Sequence, residues 1–165
     1  MDSMLHMYPE KLKLKLDHIL TKYEDYKIVL LYGDCHARMI NHEKCESICR
    51  TQGMNCCEIF LGKDQYRKLR KEGAFIMLHE WASRWRDIFY DYMGFKDNKT
   101  ASLFMQDMHE KIVYLDTSFQ KVDYNLLKEI SNFTGLKVEV IQCEMNNLEK
   151  GINQCINKLS KGNGE

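Results

Sequence analysis

The segment Lys27-Ile-Val-Leu-Leu-Tyr32 is a short, nearly unbroken apolar run that stops at Gly33-Asp34. Without polar alternation it reads as a strand covered on both faces, which calls for a parallel sheet with helices above and below it. Phe75-Ile-Met-Leu78, Lys111-Ile-Val-Tyr-Leu115 and Val138 to Cys143 repeat the pattern. Between these runs the hydrophobic period is helical. Leu12, Leu16, Ile19 and Leu20 form one stripe behind Pro9, a residue suited to a helix's first turn. His42 to Cys49 and Cys57 to Glu72 read as a short and a longer helix, separated by Gly53. Trp81, Trp85, Ile88, Phe89 and Tyr92 recur at helical spacing up to Gly94. Asp123 opens a helix to Phe133 that Gly135 ends, and Leu148, Ile152 and Ile156 mark a last one. The alternation predicts a single-domain three-layer α/β/α sandwich over residues 1–160, with a mostly parallel, Rossmann-like sheet of about four strands. Residues 161–165 read as a disordered tail.

Composition narrows the function classes. At 165 residues and 44% hydrophobic, the chain can bury a core without disulfides or metal, so any metal is expected to serve function. Lys+Arg 24 against Asp+Glu 24 leaves no overall positive field for nucleic acid or an anionic membrane. The N-terminus has no continuous apolar core of a signal peptide, and the longest apolar run, Ile28 to Tyr32, is too short to span a bilayer. Seven cysteines, an odd number without a secretory signal, point to reduced thiols and a cytoplasmic setting.

Ligands of open parallel α/β sheets bind beyond the carboxyl ends of the strands. The first residues past the expected strands are Gly33-Asp34-Cys35-His36, His79-Glu80, Asp116-Thr117 and Cys143-Glu144, so each strand delivers a ligating or acid/base group to one edge. Cys56-Cys57 begins the longer helix near that edge, and a helix N-terminus favours the thiolate. Cys45 and Cys49, four apart, share a helix face and read as packing, as does Cys155. His79 is the best histidine candidate, followed by His36, while His6 can reach the same edge from the chain's start. No C-x-x-C occurs, which disfavours zinc-ribbon and thioredoxin-type sites. Phosphate-loop, dinucleotide and hydrolase-elbow motifs are also absent. What remains is a thiolate site assembled from distant loops, suited to zinc or an iron–sulfur cluster. The aromatic stripe from Trp81 to Tyr92 reads as core or as a homodimer face.

Leu5-His6, Pro9-Glu10-Lys11-Leu12, Tyr32-Gly33-Asp34-Cys35, Cys57-Glu58-Ile-Phe-Leu-Gly62 with Tyr66, Leu78 with Trp81, and Tyr114-Leu115-Asp116-Thr117 together resemble the family of domain of unknown function 1638. The resemblance spans nearly the whole chain and implies occurrence in methanogenic archaea and anaerobic bacteria, often beside methyl-group and corrinoid metabolism. Its most specific elements carry Cys35 and Cys57. The family usually has glycine where this chain has His36 and aspartate where it has Cys56, and members tend to begin with an additional cysteine-bearing strand.

The expected function is therefore a cytoplasmic metal- or metallocofactor-binding protein. Cys35, Cys57, Cys56 and His79 are the expected ligands. His36, Glu58, Glu80, Asp116 and Cys143 are expected around them, orienting ligands or accepting protons. The family resemblance implies corrinoid or methyltransferase proteins as partners. A metal-dependent methyltransferase-type enzyme, and an interaction subunit with buried thiols, are the two rival readings.

Overall fold

The structure is a computed structural model that describes residues 3–35, 39 and 45–161. The α/β class holds, with every paired strand parallel. The strands are distributed over two sheets, of two and three strands, instead of the one sheet expected. The chain divides into two compact units, Met1–Lys63 with Met145–Glu165, and Asp64–Glu144.

In the first unit, a 3-10 turn (Ser3–Met7) leads into α1 (Pro9–Lys22), which starts at the proline and buries Leu12, Leu16 and Leu20. Strand β1 (Ile28–Leu30) pairs with β2 (Ile48–Arg50), with Ile28 opposite Ile48 and Leu30 opposite Arg50. Both faces of β1 are covered, as its unbroken apolar run requires. Ile28 and Leu30 pack with Leu16, Leu20 and Ile48, while Val29 packs with Cys49, Cys155 and Leu159. Helix α2 (Cys56–Leu61) follows, the last helix of this unit is the long helix over Asn146–Lys161, and α3 (Lys63–Lys71) begins at the unit's edge and runs into the second unit.

Two local expectations fail here, each for a physical reason. A helix over 42–49 is replaced at its end by β2; residues 42–44 lie outside those described. Pairing with β1 and burial of Ile48 and Cys49 on opposite faces outweigh the four-residue cysteine spacing, and Cys45 is exposed. The single helix over 57–72 breaks at Gly62, whose φ of 77° is the left-handed conformation that ends α2. Residues 162–165, most of the expected tail, lie outside the described set.

In the second unit, β3 (Ala74–Met77), β4 (Lys111–Asp116) and β5 (Val138–Gln142) form a parallel sheet with β4 in the centre. Ile112, Val113 and Leu115 are fully buried, as befits a central parallel strand. Between β3 and β4 come α4 (His79–Ser83), a π-helical segment (Asp87–Tyr92) and α5 (Asn98–Met108). Trp85, Ile88 and Phe89 are buried, and Trp85 and Phe89 each pack on Phe133, so the middle of the aromatic stripe is core, while Trp81 is half-buried and Tyr92 is exposed. Helix α6 (Tyr124–Thr134) has Asp123 accepting from the Asn125 and Leu126 amides at its start and Gly135 at its end. Helix α5 carries no readable stripe. Only Ala101 and Met105 are buried, and Leu103, Phe104 and Met108 face solvent, which blurs the period. Numbered in chain order, the helix over Asn146–Lys161 is α7.

Gly151 sits inside α7, and a Cβ there would meet Thr51 Cγ2 at 3.5 Å, an ordinary contact. Nothing in the packing therefore requires glycine, and Gly151→Ala should raise unfolding free energy by about 0.5–1 kcal/mol, read from urea denaturation. A loss of stability would show that α7 lies closer to β2 than this contact implies.

Candidate functional site

The site grows from a backbone contact. A Cβ on Gly33 would lie 2.4 Å from the Asn55 Cα and 2.5 Å from the Met54 carbonyl oxygen, so only glycine lets the turn after β1 meet the loop entering α2. The Asp34 amide donates to the Met54 carbonyl at 2.8 Å, which fixes the register of the two segments. Asn55 caps α2 by accepting from the Glu58 amide at 3.0 Å, and the buried Glu58 carboxylate accepts from the Met54 amide at 2.8 Å. From β2, Arg50 donates to the Tyr32 carbonyl at 3.2 Å and pairs with Asp34 at 3.0 Å. His6 stacks on Tyr32, ring centroids 6.4 Å apart, and burial pushes its imidazole below the ordinary value.

This framework brings together three thiols. Cys35 leaves the turn half-buried against the core around Leu30, and Cys56 and Cys57 open α2. Their environments separate them. A hydrogen bond from the Cys57 thiol, with help from the Cys56 and Cys57 amides, lowers the Cys56 thiol to about 7 against burial, which acts the other way. Burial and the neighbouring Cys56 charge push Cys35 up to about 11, despite help from the Gly33 backbone and Arg50. The Cys35 charge in turn raises Tyr32, behind burial as the larger cause. With Cys56 lowered to about 7 and Cys35 raised to about 11, the cluster at neutral pH populates a thiolate at Cys56 while Cys35 keeps its proton. His36, the expected neighbour, lies outside the described residues.

The other expected site residues belong to the second unit. His79 Nδ1 lies 3.2 Å from the Tyr114 hydroxyl and its Nε2 3.0 Å from Ser83 Oγ. Ser83 Oγ gives its hydrogen to the His79 carbonyl at 2.8 Å, so Nε2 carries the ring proton and Nδ1 accepts from Tyr114. Nδ1 thereby ties α4 to β4, while Nε2 is used within α4 itself. Glu80 follows in the first turn of α4. Asp116 accepts from the Ser118 amide at 2.9 Å, closing a turn in which Ser118 has φ 59°. Cys143 is buried, and burial followed by the Glu144 charge raises its thiol. Sequence reasoning missed Arg50 and Asn55. The Asn55-x-x-Glu58 spacing of a capped helix start was the readable signal for the second, and Arg50 had none, because its partners follow from the β1–β2 register.

Among the described residues, no group of three or more His, Cys, Asp or Glu side chains is arranged to hold a metal ion. Parallel sheets and a thiol-bearing turn past the first strand define an α/β protein with a candidate thiolate centre. The family model for "Protein of unknown function (DUF1638)" matches residues 1–152, and the chain belongs to that family. No curated protein and no solved structure matches it. No helix among the described residues is long and apolar enough to cross a membrane.

Two predictions follow from the turn. Gly33→Ala should destabilise the protein by about 1–3 kcal/mol, because backbone must move to admit the methyl group; chemical denaturation reads the loss, and unchanged stability would deny the close approach. Alkylation by iodoacetamide, resolved by site with mass spectrometry because Ser47 also lowers the exposed Cys45 thiol, should show Cys56 titrating near pH 7 and Cys35 near 11. Cys57→Ala should move the Cys56 midpoint upward by removing its hydrogen-bond donor. The linked stability has opposite signs for the two thiols. The Cys56 contribution is present above the ordinary thiol value and is lost as pH falls through about 7, whereas that of Cys35 is present below that value and is lost as pH rises towards about 11.

Proposed function

We propose that this protein binds a thiophilic metal ion through the thiols of Cys35, Cys56 and Cys57. The observation that carries the reading is the juxtaposition of Cys56, whose charged form a bond from the Cys57 thiol favours, with Cys35, whose proton is held first by burial and then by the Cys56 charge. A cation between them offsets that charge, and its binding releases the Cys35 proton. Three thiols are one donor short of the four that structural zinc or an iron–sulfur cluster takes. The same number matches a metal that keeps one position for an outside ligand. Glu58 supports the site indirectly: its carboxylate holds the Met54 amide, and with it the loop that presents Cys56.

Anaerobic purification after growth with zinc and iron, followed by elemental analysis and an ultraviolet–visible spectrum, tests the proposal. We expect bound metal near one equivalent, reduced severalfold in Cys56→Ser and Cys35→Ser and unchanged in Cys45→Ser, whose thiol is exposed and apart from the cluster. Absorption from sulfide-to-iron charge transfer would assign a cluster, and a colourless loaded protein would assign zinc. The reading is falsified if the protein is metal-free under these conditions, or if its metal content ignores Cys56 and Cys35.

A further inference from the structure

A second site lies within the first unit, on the face of β2 that meets α7. A cavity of about 290 Å³ is lined by Cys49 of the strand, by Thr51 and Gln52 just after it, and from the helix by Gly151, Gln154 and Lys158. That volume falls at the lower end of small-molecule sites, which run from ~300 to ~1,000 Å³. Gly151, Gln154, Cys155 and Lys158 share one helical face, and no acidic side chain among the described residues lines the cavity. Arg50 also contributes to the wall, but its guanidinium is engaged with Tyr32 and Asp34, so Lys158 supplies the positive charge. The floor is closed by the buried thiols of Cys49 and Cys155, packed with Leu159.

Gly151 is the second observation. Glycine inside a helix is unfavourable, and the contact with Thr51 has room for a methyl group, so packing gives no reason for it. Any side chain longer than alanine would instead enter the cavity. The missing side chain therefore keeps open a cleft whose solvent-exposed rim offers one ammonium, from Lys158, and two carboxamides, from Gln52 and Gln154.

We infer that this cavity binds a small molecule bearing an oxyanion, with its carboxylate or phosphate group at Lys158 and its remaining polar groups at Gln52 and Gln154. Ammonium and carboxamide N–H groups donate to such oxygens, and the amide oxygens accept from hydroxyl or amine groups on the same molecule. The inference is independent of the thiol reading, since none of the three clustered thiols lines the cavity.

Calorimetric titration of the full chain with inorganic phosphate and with succinate, at ionic strength matched by sodium chloride, tests it. Saturable binding of at least one anion is expected at millimolar concentrations or below. Lys158→Met should weaken it about tenfold or more, Gly151→Met should abolish it by filling the cleft, and Gly151→Ala should leave it unchanged. Binding of phosphate alone assigns a phosphate ester, and binding of succinate alone assigns a carboxylate. No saturable binding beyond chloride, or binding retained in either Lys158→Met or Gly151→Met, overturns the proposal. Should Gly151→Met fail to fold, Lys158→Met carries the test, because its aliphatic stem is preserved.

Discussion

The approach of Gly33 to the Met54–Asn55 backbone is the constraint on which the thiol turn depends. Strand β1 ends where a side chain would collide with the loop entering α2, and the missing Cβ lets the Asp34 amide reach the Met54 carbonyl. Everything chemical follows from that register. Cys35 is two residues past the glycine and Cys56 one past the residue it touches, so one backbone contact delivers thiols from distant points in the sequence to one place. Arg50 and Glu58 then hold the two segments from opposite sides, one through Tyr32 and Asp34, the other through Met54.

Cysteine is the same residue at every position, and its environment decides what it can do. Cys143 is buried, and burial followed by the Glu144 charge favours its neutral thiol. Cys56 is also largely withdrawn from solvent, yet its charge is favoured because a thiol and two backbone amides donate to the sulfur. Hydrogen bonding to the charged form thus outweighs desolvation at Cys56. A chain with formal net charge +0 offers no long-range field for an ion, so attraction of a cation falls to local charge of this kind.

How far the sequence could be read depended on the range of the interaction. The unbroken runs at β1 and β4 were legible because burial on both faces leaves no polar alternation, and Pro9, Asp123 and Gly135 marked helix ends through local backbone chemistry. Strand β2 was not legible. Its identity comes from pairing with β1, about twenty residues away, and its cysteine spacing imitates a helix face. Helix α5 escaped because its apolar residues face solvent as often as core. Cys35, Cys56 and Cys57 could be selected from their places at a strand end and a helix start. Their relative ionisation could not, since it arises from contacts between segments. The expected role of His79 met a further limit: a strand-end histidine reads as a ligand, while its Tyr114 partner depends on α4 folding back against β4.

The distribution of polar chemistry between the two units carries one more step of argument. In the second unit the groups past the strands close their own structure: His79 bonds Tyr114 and Ser83, and Asp116 closes the Ser118 turn. Such groups are already satisfied, and recruiting them to a ligand would forfeit bonds that hold the sheet to its helices. In the first unit, the supporting bonds are made by backbone amides and carbonyls together with Arg50, Asn55 and Glu58. The Cys56 sulfur accepts from the Cys57 thiol and nearby amides, and its charge disfavours ionisation of the neighbouring Cys35 thiol, behind burial as the larger cause. A ligand that accepts thiolates can therefore enter without dismantling the turn, because the groups that build the framework differ from the groups that would bind. This separation makes substitutions at the thiols informative about binding, whereas substitution at Gly33 reports on the framework itself.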